Sequence, residues 1–145
     1  MRLYLDTSAL NRIFDDQSQP RIYLEASAML VIFSFIEKRV VNLVSSEALI
    51  FENSRNPYDE RRIFVTAVLK KAGIVQIINE RILNRAREIE PIGIKGIDAL
   101  HLACAEKMKV DCFITCDDKI IKRYSGKLQV KSPVDFSEAL FKGDI

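Results

Sequence analysis

Four acidic side chains, Asp6, Glu52, Asp98 and Asp117, have the types and positions to do chemistry together. Asp6 closes the apolar run Leu3-Tyr4-Leu5, and Asp117 follows Cys112-Phe113-Ile114-Thr115. Asp98 stands just after Gly96, at the head of an apolar helical stretch. Carboxylates gathered in one place resist ionising together. A hard divalent cation, Mg²⁺ or Mn²⁺, relieves that repulsion and takes oxygen ligands. The pattern points to a metal-dependent enzyme acting on phosphate esters. Taken singly, each aspartate has an ordinary explanation. Asp6 and Asp117 can cap helices, and Asp98 can sit at the positive end of a helix dipole. Their joint placement is what argues for chemistry.

The elements must supply that placement. Strands are expected over 2–5, 40–44, 74–77, 112–115 and 128–130. Between them the pattern is helical. Thr7 or Ser8 would cap a short helix over 7–14, and Pro20 opens a long one over 20–39. Ser45 or Ser46 caps a helix through Glu52, Pro57 opens one over 57–71 and Gly73 ends it. Further helices are expected over 79–90, broken by Pro91 and Gly93, and over 96–108, 118–124 and 133–140. Strands alternating with helices imply α/β architecture, here a single-domain α/β/α sandwich on a mainly parallel, roughly five-stranded sheet. No repeat, low-complexity tract or linker divides residues 1–145.

In such sheets ligands bind beyond the carboxyl ends of the strands. Asp6 and Asp117 come directly off strand ends. A crossover helix starts at the same edge, which brings in Asp98 from its first turn. The helix after the second strand offers two acids, Glu47 and Glu52. Geometry alone favours Glu47, which lies in the first turn.

The segments Leu5-Asp6-Thr7-Ser8-Ala9-Leu10, Asp98-Ala99-Leu100-His101-Leu102-Ala103 and Phe113-Ile114-Thr115-Cys116-Asp117 resemble the strongest motifs of PIN-domain ribonucleases. That superfamily includes the toxins of VapBC-type toxin–antitoxin pairs. The resemblance runs over nearly the whole chain. In the family, a serine ending the second strand precedes an apolar helix that carries a glutamate. Ser46 through Glu52 matches, with Leu49-Ile50-Phe51 before the acid, so the resemblance selects Glu52 and leaves Glu47 as the fallback. The segment from Asn11 to Gln17 resembles a subgroup not always linked to a toxin operon. The family often has a second acid or Phe two positions after the aspartate matched by Asp117; here Asp118-Lys119-Ile120 follows, so Asp118 is either an extra ligand or a helix cap or first-turn acid.

The resemblance implies that Asp6, Glu52, Asp98 and Asp117 hold one or two Mg²⁺ or Mn²⁺ ions and cut RNA, leaving a 5′ phosphate. Two ions about 3.5–4 Å apart would bind both the attacking and the leaving oxygen. It also implies a homodimer, which the apolar helix around Met29–Ile36 could serve, and a possible antitoxin partner. The alternative is a non-catalytic RNA-binding or regulatory module on the same fold. A phosphotransfer receiver would need an aspartate after the third strand, where Val75-Gln76-Ile77-Ile78-Asn79 has none. A haloacid-dehalogenase-type phosphatase would need an aspartate at Ser8.

The remaining residues are less decided. Ser8 and Thr115 would hold carboxylates or simply cap. Asn11 and Arg12 are either polar groups near the pocket or a solvent-facing turn. His101, the single histidine, would orient Asp98 or be a partly buried helix residue. Net charge is only +2, but Lys119, Lys122, Arg123, Lys127 and Lys131 form a one-signed run. Beside an acidic pocket, such a run could guide a polyanion. Three cysteines, an odd count without a signal peptide, favour a reduced, cytoplasmic protein. No membrane span is expected, because the longest apolar stretch, 26–36, falls far short of the ~20 residues needed.

Overall fold

The computed structural model describes residues 1–144. Five parallel strands, β1 (Arg2–Leu5), β2 (Asn42–Ser46), β3 (Ile74–Gln76), β4 (Cys112–Ile114) and β5 (Val130–Lys131), form one sheet in the order β3-β2-β1-β4-β5. The helices are α1 (Thr7–Asn11), α2 (Pro20–Glu37), α3 (Glu47–Ser54), α4 (Asp59–Leu69), α5 (Glu80–Ile89), α6 (Gly96–Lys107), α7 (Asp118–Arg123) and α8 (Pro133–Lys142). Short 3₁₀ turns follow α1 and α5.

The chain advances from β1 to β3, then jumps back past β1 to β4. Parallel neighbours are joined through the intervening helices, as crossover connections require. Strands buried on both faces read as continuous apolar runs. Accordingly Leu3, Tyr4, Leu5, Phe113 and Ile114 are all fully buried. Tyr4 and Phe113 stack across β1 and β4, with ring centroids 5.2 Å apart. The reversal of strand order leaves a crevice where β1 meets β4, at their carboxyl ends.

Several boundaries differ from the sequence reading. The second strand begins at Asn42, not at position 40. Arg39 takes a left-handed conformation, φ 58°, and the Val40 amide donates to Phe35 O at 2.9 Å. Both residues are thus used to end α2. The fifth strand is shifted to Val130–Lys131, because the Tyr124 hydroxyl takes the Leu128 amide. The cap of α1 is Asp6, which accepts from Ala9 N, rather than Thr7 or Ser8. Gly73 does not end α4; that helix closes at Lys70, and the Gly73 amide donates to Leu43 O as β3 begins.

Candidate active site

All four acids, Asp6, Glu52, Asp98 and Asp117, line one open pocket of about 420 Å³ at the carboxyl edge of the sheet. Thr7, Ser8, Asn11, Arg12, Asp15, Asn56, Tyr58 and Arg61 complete its walls.

Asp6 leaves β1 into α1 and is almost fully buried. Its Oδ1 accepts from Ala9 N at 3.0 Å and Ser8 Oγ at 2.7 Å, and its Oδ2 accepts from Thr115 Oγ1. Burial raises its pKa, and these hydrogen bonds offset only part of the rise. Ser8 and Thr115 are therefore carboxylate holders. Asp117 caps α7, its Oδ1 accepting from Lys119 N at 2.8 Å. Asp98, in the first turn of α6, is pushed up to about 6 by burial and then by the nearby charge of Asp6, with Glu52 and Asp117 adding to it. Crowding of negative charge is thus a property of this pocket.

Glu52 is the acid that strand-end geometry does not select. It sits in the last turn of α3, where Oε1 accepts from Thr7 Oγ1 and from His101 Nε2, the latter at 2.7 Å. Burial alone would raise its pKa, but the bonds from His101 and Thr7 reverse the sign and lower it. Glu47 is exposed, lies outside the pocket and accepts the Ile78 amide at 2.7 Å.

His101 is completely buried, not partly, and its partner is Glu52 rather than Asp98. Its Nδ1 lies 2.6 Å from the Tyr4 hydroxyl, which lies 2.7 Å from Ser46 Oγ. A carboxylate only accepts, so Nε2 must carry a proton. In the neutral ring Nδ1 then accepts from Tyr4, and Tyr4 accepts from Ser46. Burial holds the Tyr4 phenol protonated, well above its usual pKa. Tyr4 and Thr7 carry no sequence signal of this role, since their partners lie 97 and 45 residues away.

Other expectations are redistributed. Asn11 is buried, donating to Thr7 O at 2.9 Å. Asp118 turns away and binds Arg21 bidentately at 2.7 and 2.8 Å. No residue of the basic run from Lys119 to Lys131 lines the pocket; Lys127 instead joins Arg81 and Arg85 in a separate groove. The cations at the pocket are Arg12 and Arg61. Cys104, Cys112 and Cys116 are free and buried, and burial pushes their thiols up to about 11, 12 and 12. None is a thiolate nucleophile near neutral pH.

Among the described residues, no three His, Cys, Asp or Glu side chains converge closely enough to hold a metal ion as they stand. Glu52 is turned onto His101 and Thr7, and Asp6 into its cap. The donor chemistry still fits a hard divalent cation. Four carboxylates share one solvent-reached pocket, and the repulsion that raises Asp98 is what such an ion relieves.

The PIN domain family model matches residues 3–127. The chain belongs to the PIN domain family. PIN domains are generally nucleases and typically use divalent metal ions. No curated protein matches the chain. Among solved structures, it is similar to a chain of VapBC2 from Rickettsia felis, crystallised bound to a DNA fragment from their promoter. That likeness has a TM-score of 0.58 at 15% identity and covers 91% of this chain and 98% of that one. At this identity the likeness is one of PIN fold. Among the described residues, no helix is long and apolar enough to cross a membrane.

Proposed function

We propose that this PIN protein is a metal-dependent endoribonuclease in which Asp6, Glu52, Asp98 and Asp117 hold Mg²⁺ or Mn²⁺. The observation that carries the reading is the shared pocket of all four acids, with Asp98 pushed up to about 6 by burial and by the charge of its neighbours. When bound, the ion supplies Lewis-acid activation of the phosphodiester and of a water.

The chain's own part is orientation and proton control. Ser8, Thr115 and the Ala9 amide fix the Asp6 carboxylate, and His101 with Thr7 fixes Glu52. In the metal-free pocket the Asp98 pKa is raised to about 6 by burial and by the charge of its neighbours, and a bound cation would favour its ionised, ligating form. Water oxygen attacks phosphorus and gives up a proton to solvent, the bond to the 3′ oxygen breaks, and that oxygen takes a proton from solvent. The products end in a 3′ hydroxyl and a 5′ phosphate. No side-chain nucleophile is required.

The VapBC2 likeness supports a toxin role, with an antitoxin segment covering the acidic edge. A homodimer belongs to the same reading. Met29, Ile32 and Ile36 are buried in the chain's own core, so on α2 the apolar residues left for a partner are Tyr23, Leu24 and Leu30. A cytoplasmic setting accords with the three free thiols.

Incubation with single-stranded and structured RNAs, in Mg²⁺ or Mn²⁺ against EDTA, tests the nuclease. Metal-dependent fragments with 5′ phosphates support it. Binding without cutting favours the non-catalytic RNA-binding module instead.

A further inference from the structure

The mouth of the acidic pocket carries a side chain that the hydrolytic chemistry does not use. Tyr58, 65% exposed, is the one aromatic residue among the described residues that line the pocket. Its ring is supported by Arg61, whose guanidinium carbon lies 5.4 Å from the ring centroid. Arg61 is itself fixed. Its Nη1 donates to Asp15 Oδ1 at 2.9 Å, its Nη2 donates to Phe14 O at 3.0 Å, and it lies 5.8 Å from the Phe14 ring centroid.

The backbone beneath Tyr58 is tied to the acids. Its amide donates to Asn56 Oδ1 at 3.0 Å, and Asn56 Nδ2 donates to Asn11 Oδ1 at 3.2 Å. Asn11 Nδ2 donates to Thr7 O at 2.9 Å, and Thr7 Oγ1 donates to Glu52. This chain of bonds ties the Tyr58 backbone to Glu52, and the ring itself rests on Arg61.

Charge at this rim is already matched. Asp15 accepts from Arg12 and Arg61, each at 2.9 Å, and Arg12 also lies 3.2 Å from Glu25. Neither guanidinium is left as a free phosphate anchor. What the rim offers a nucleic acid is an open aromatic face on a rigid cationic backing, and such a face stacks on bases.

We infer that Tyr58 is a specificity-determining residue that stacks a nucleobase close to the bond being cut, with Arg61 as its support. The inference rests on the nuclease reading above and adds to it a preference among RNA structures. A base within a duplex has both faces covered by its neighbours, so Tyr58 selects an unstacked nucleotide in a single strand, loop or bulge. Stacking tolerates every base, so discrimination by Tyr58 is for unpaired structure more than for sequence.

The test measures binding by fluorescence anisotropy in EDTA, apart from cleavage. The probes are a labelled 12-nucleotide single-stranded RNA and versions with one abasic site moved along it. Tyr58→Ala should weaken the intact strand about tenfold, the effect of one stacked base. Tyr58→Phe should restore it. In the native protein one abasic position should cost a similar factor, and that position should cost nothing further in Tyr58→Ala. The inference is overturned if the native protein binds no strand. It is overturned equally if Tyr58→Ala binds like native, or if its loss is as large on the abasic strand. Metal-dependent cleavage by the native protein, scored separately, keeps the two readings apart. Cutting that ignores Tyr58→Ala refutes the stacking role and leaves the nuclease. Abasic-sensitive binding without any cutting refutes the nuclease and leaves Tyr58 as a stacking residue of a binding module.

Discussion

His101 Nε2 lies 2.7 Å from Glu52 Oε1, while the other nitrogen of the same buried ring lies 2.6 Å from the Tyr4 hydroxyl. A core strand, β1, is thereby linked through α6 to an acid at the end of α3. His101 orients Glu52 without itself lining the pocket. His101→Ala should lower the cleavage rate about 10- to 100-fold, as loss of a ligand's supporting hydrogen bond does. It should also cost about 2–3 kcal/mol of stability, through a cavity and a weakened Tyr4 hydroxyl network. Thermal melting and single-turnover kinetics on one preparation check both. An unchanged rate would make His101 purely structural.

Asp98 should destabilise the metal-free fold when ionised. Its pKa is about 6 in the folded chain, against 3.8 for the free side chain. The folded state therefore binds the extra proton, and apo stability should fall as pH rises from about 4 to about 6. A shift of this size in an enclosed site corresponds to about 3 kcal/mol. Solvent at this half-buried carboxylate reduces that to about 1 kcal/mol. Asp98→Asn should raise the apo melting temperature above pH 6 and leave it unchanged below pH 4. Mg²⁺ should stabilise the native protein more than the variant. Destabilisation by Asp98→Asn at pH 7 would argue against a crowded acidic pocket.

Away from the pocket, Glu106 accepts from Arg85 Nε at 2.7 Å and from the Tyr124 hydroxyl. Burial would raise its pKa, but the Arg85 and Tyr124 bonds outweigh it and lower the value. Its stabilising effect is therefore full above the ordinary glutamate range and lost as pH falls through the depressed folded value. Tyr124→Phe removes the bond to Glu106 and the weaker one from the Leu128 amide, and should cost about 2 kcal/mol at pH 7. The difference from native should shrink in melts taken at successively lower pH. An unchanging difference would show that Glu106 does not titrate in this way.

Three of the four acids were legible because topology fixes them. A residue leaving a parallel strand, or opening the helix that returns to the next, must sit at the carboxyl edge. Asp6, Asp117 and Asp98 obey that rule. Glu52 does not, because it reaches the pocket from the far end of α3, which packs against α6 and α1. Only the family resemblance separated it from Glu47. His101 escapes the sequence pattern for a related reason. Its spacing from Asp98 along the helix is local, whereas its partner Glu52 lies 49 residues away. The apolar pattern places the start of β2 too early because Arg39 ends α2 in a left-handed conformation usually filled by glycine. The basic run was legible as charge, but sequence carries no measure of its separation from the pocket.

The most direct test of the central claim is the single-turnover rate of RNA cleavage in Mn²⁺ for native protein, Asp98→Asn, Glu52→Gln and Glu47→Gln, each shown to be folded. Glu47 is the internal control, since it shares α3 with Glu52 but lies outside the pocket. The account predicts losses of more than about 100-fold for Asp98→Asn and Glu52→Gln, and a rate within about twofold of native for Glu47→Gln. Cleavage that survives Asp98→Asn, or that is lost with Glu47→Gln and kept with Glu52→Gln, would contradict it.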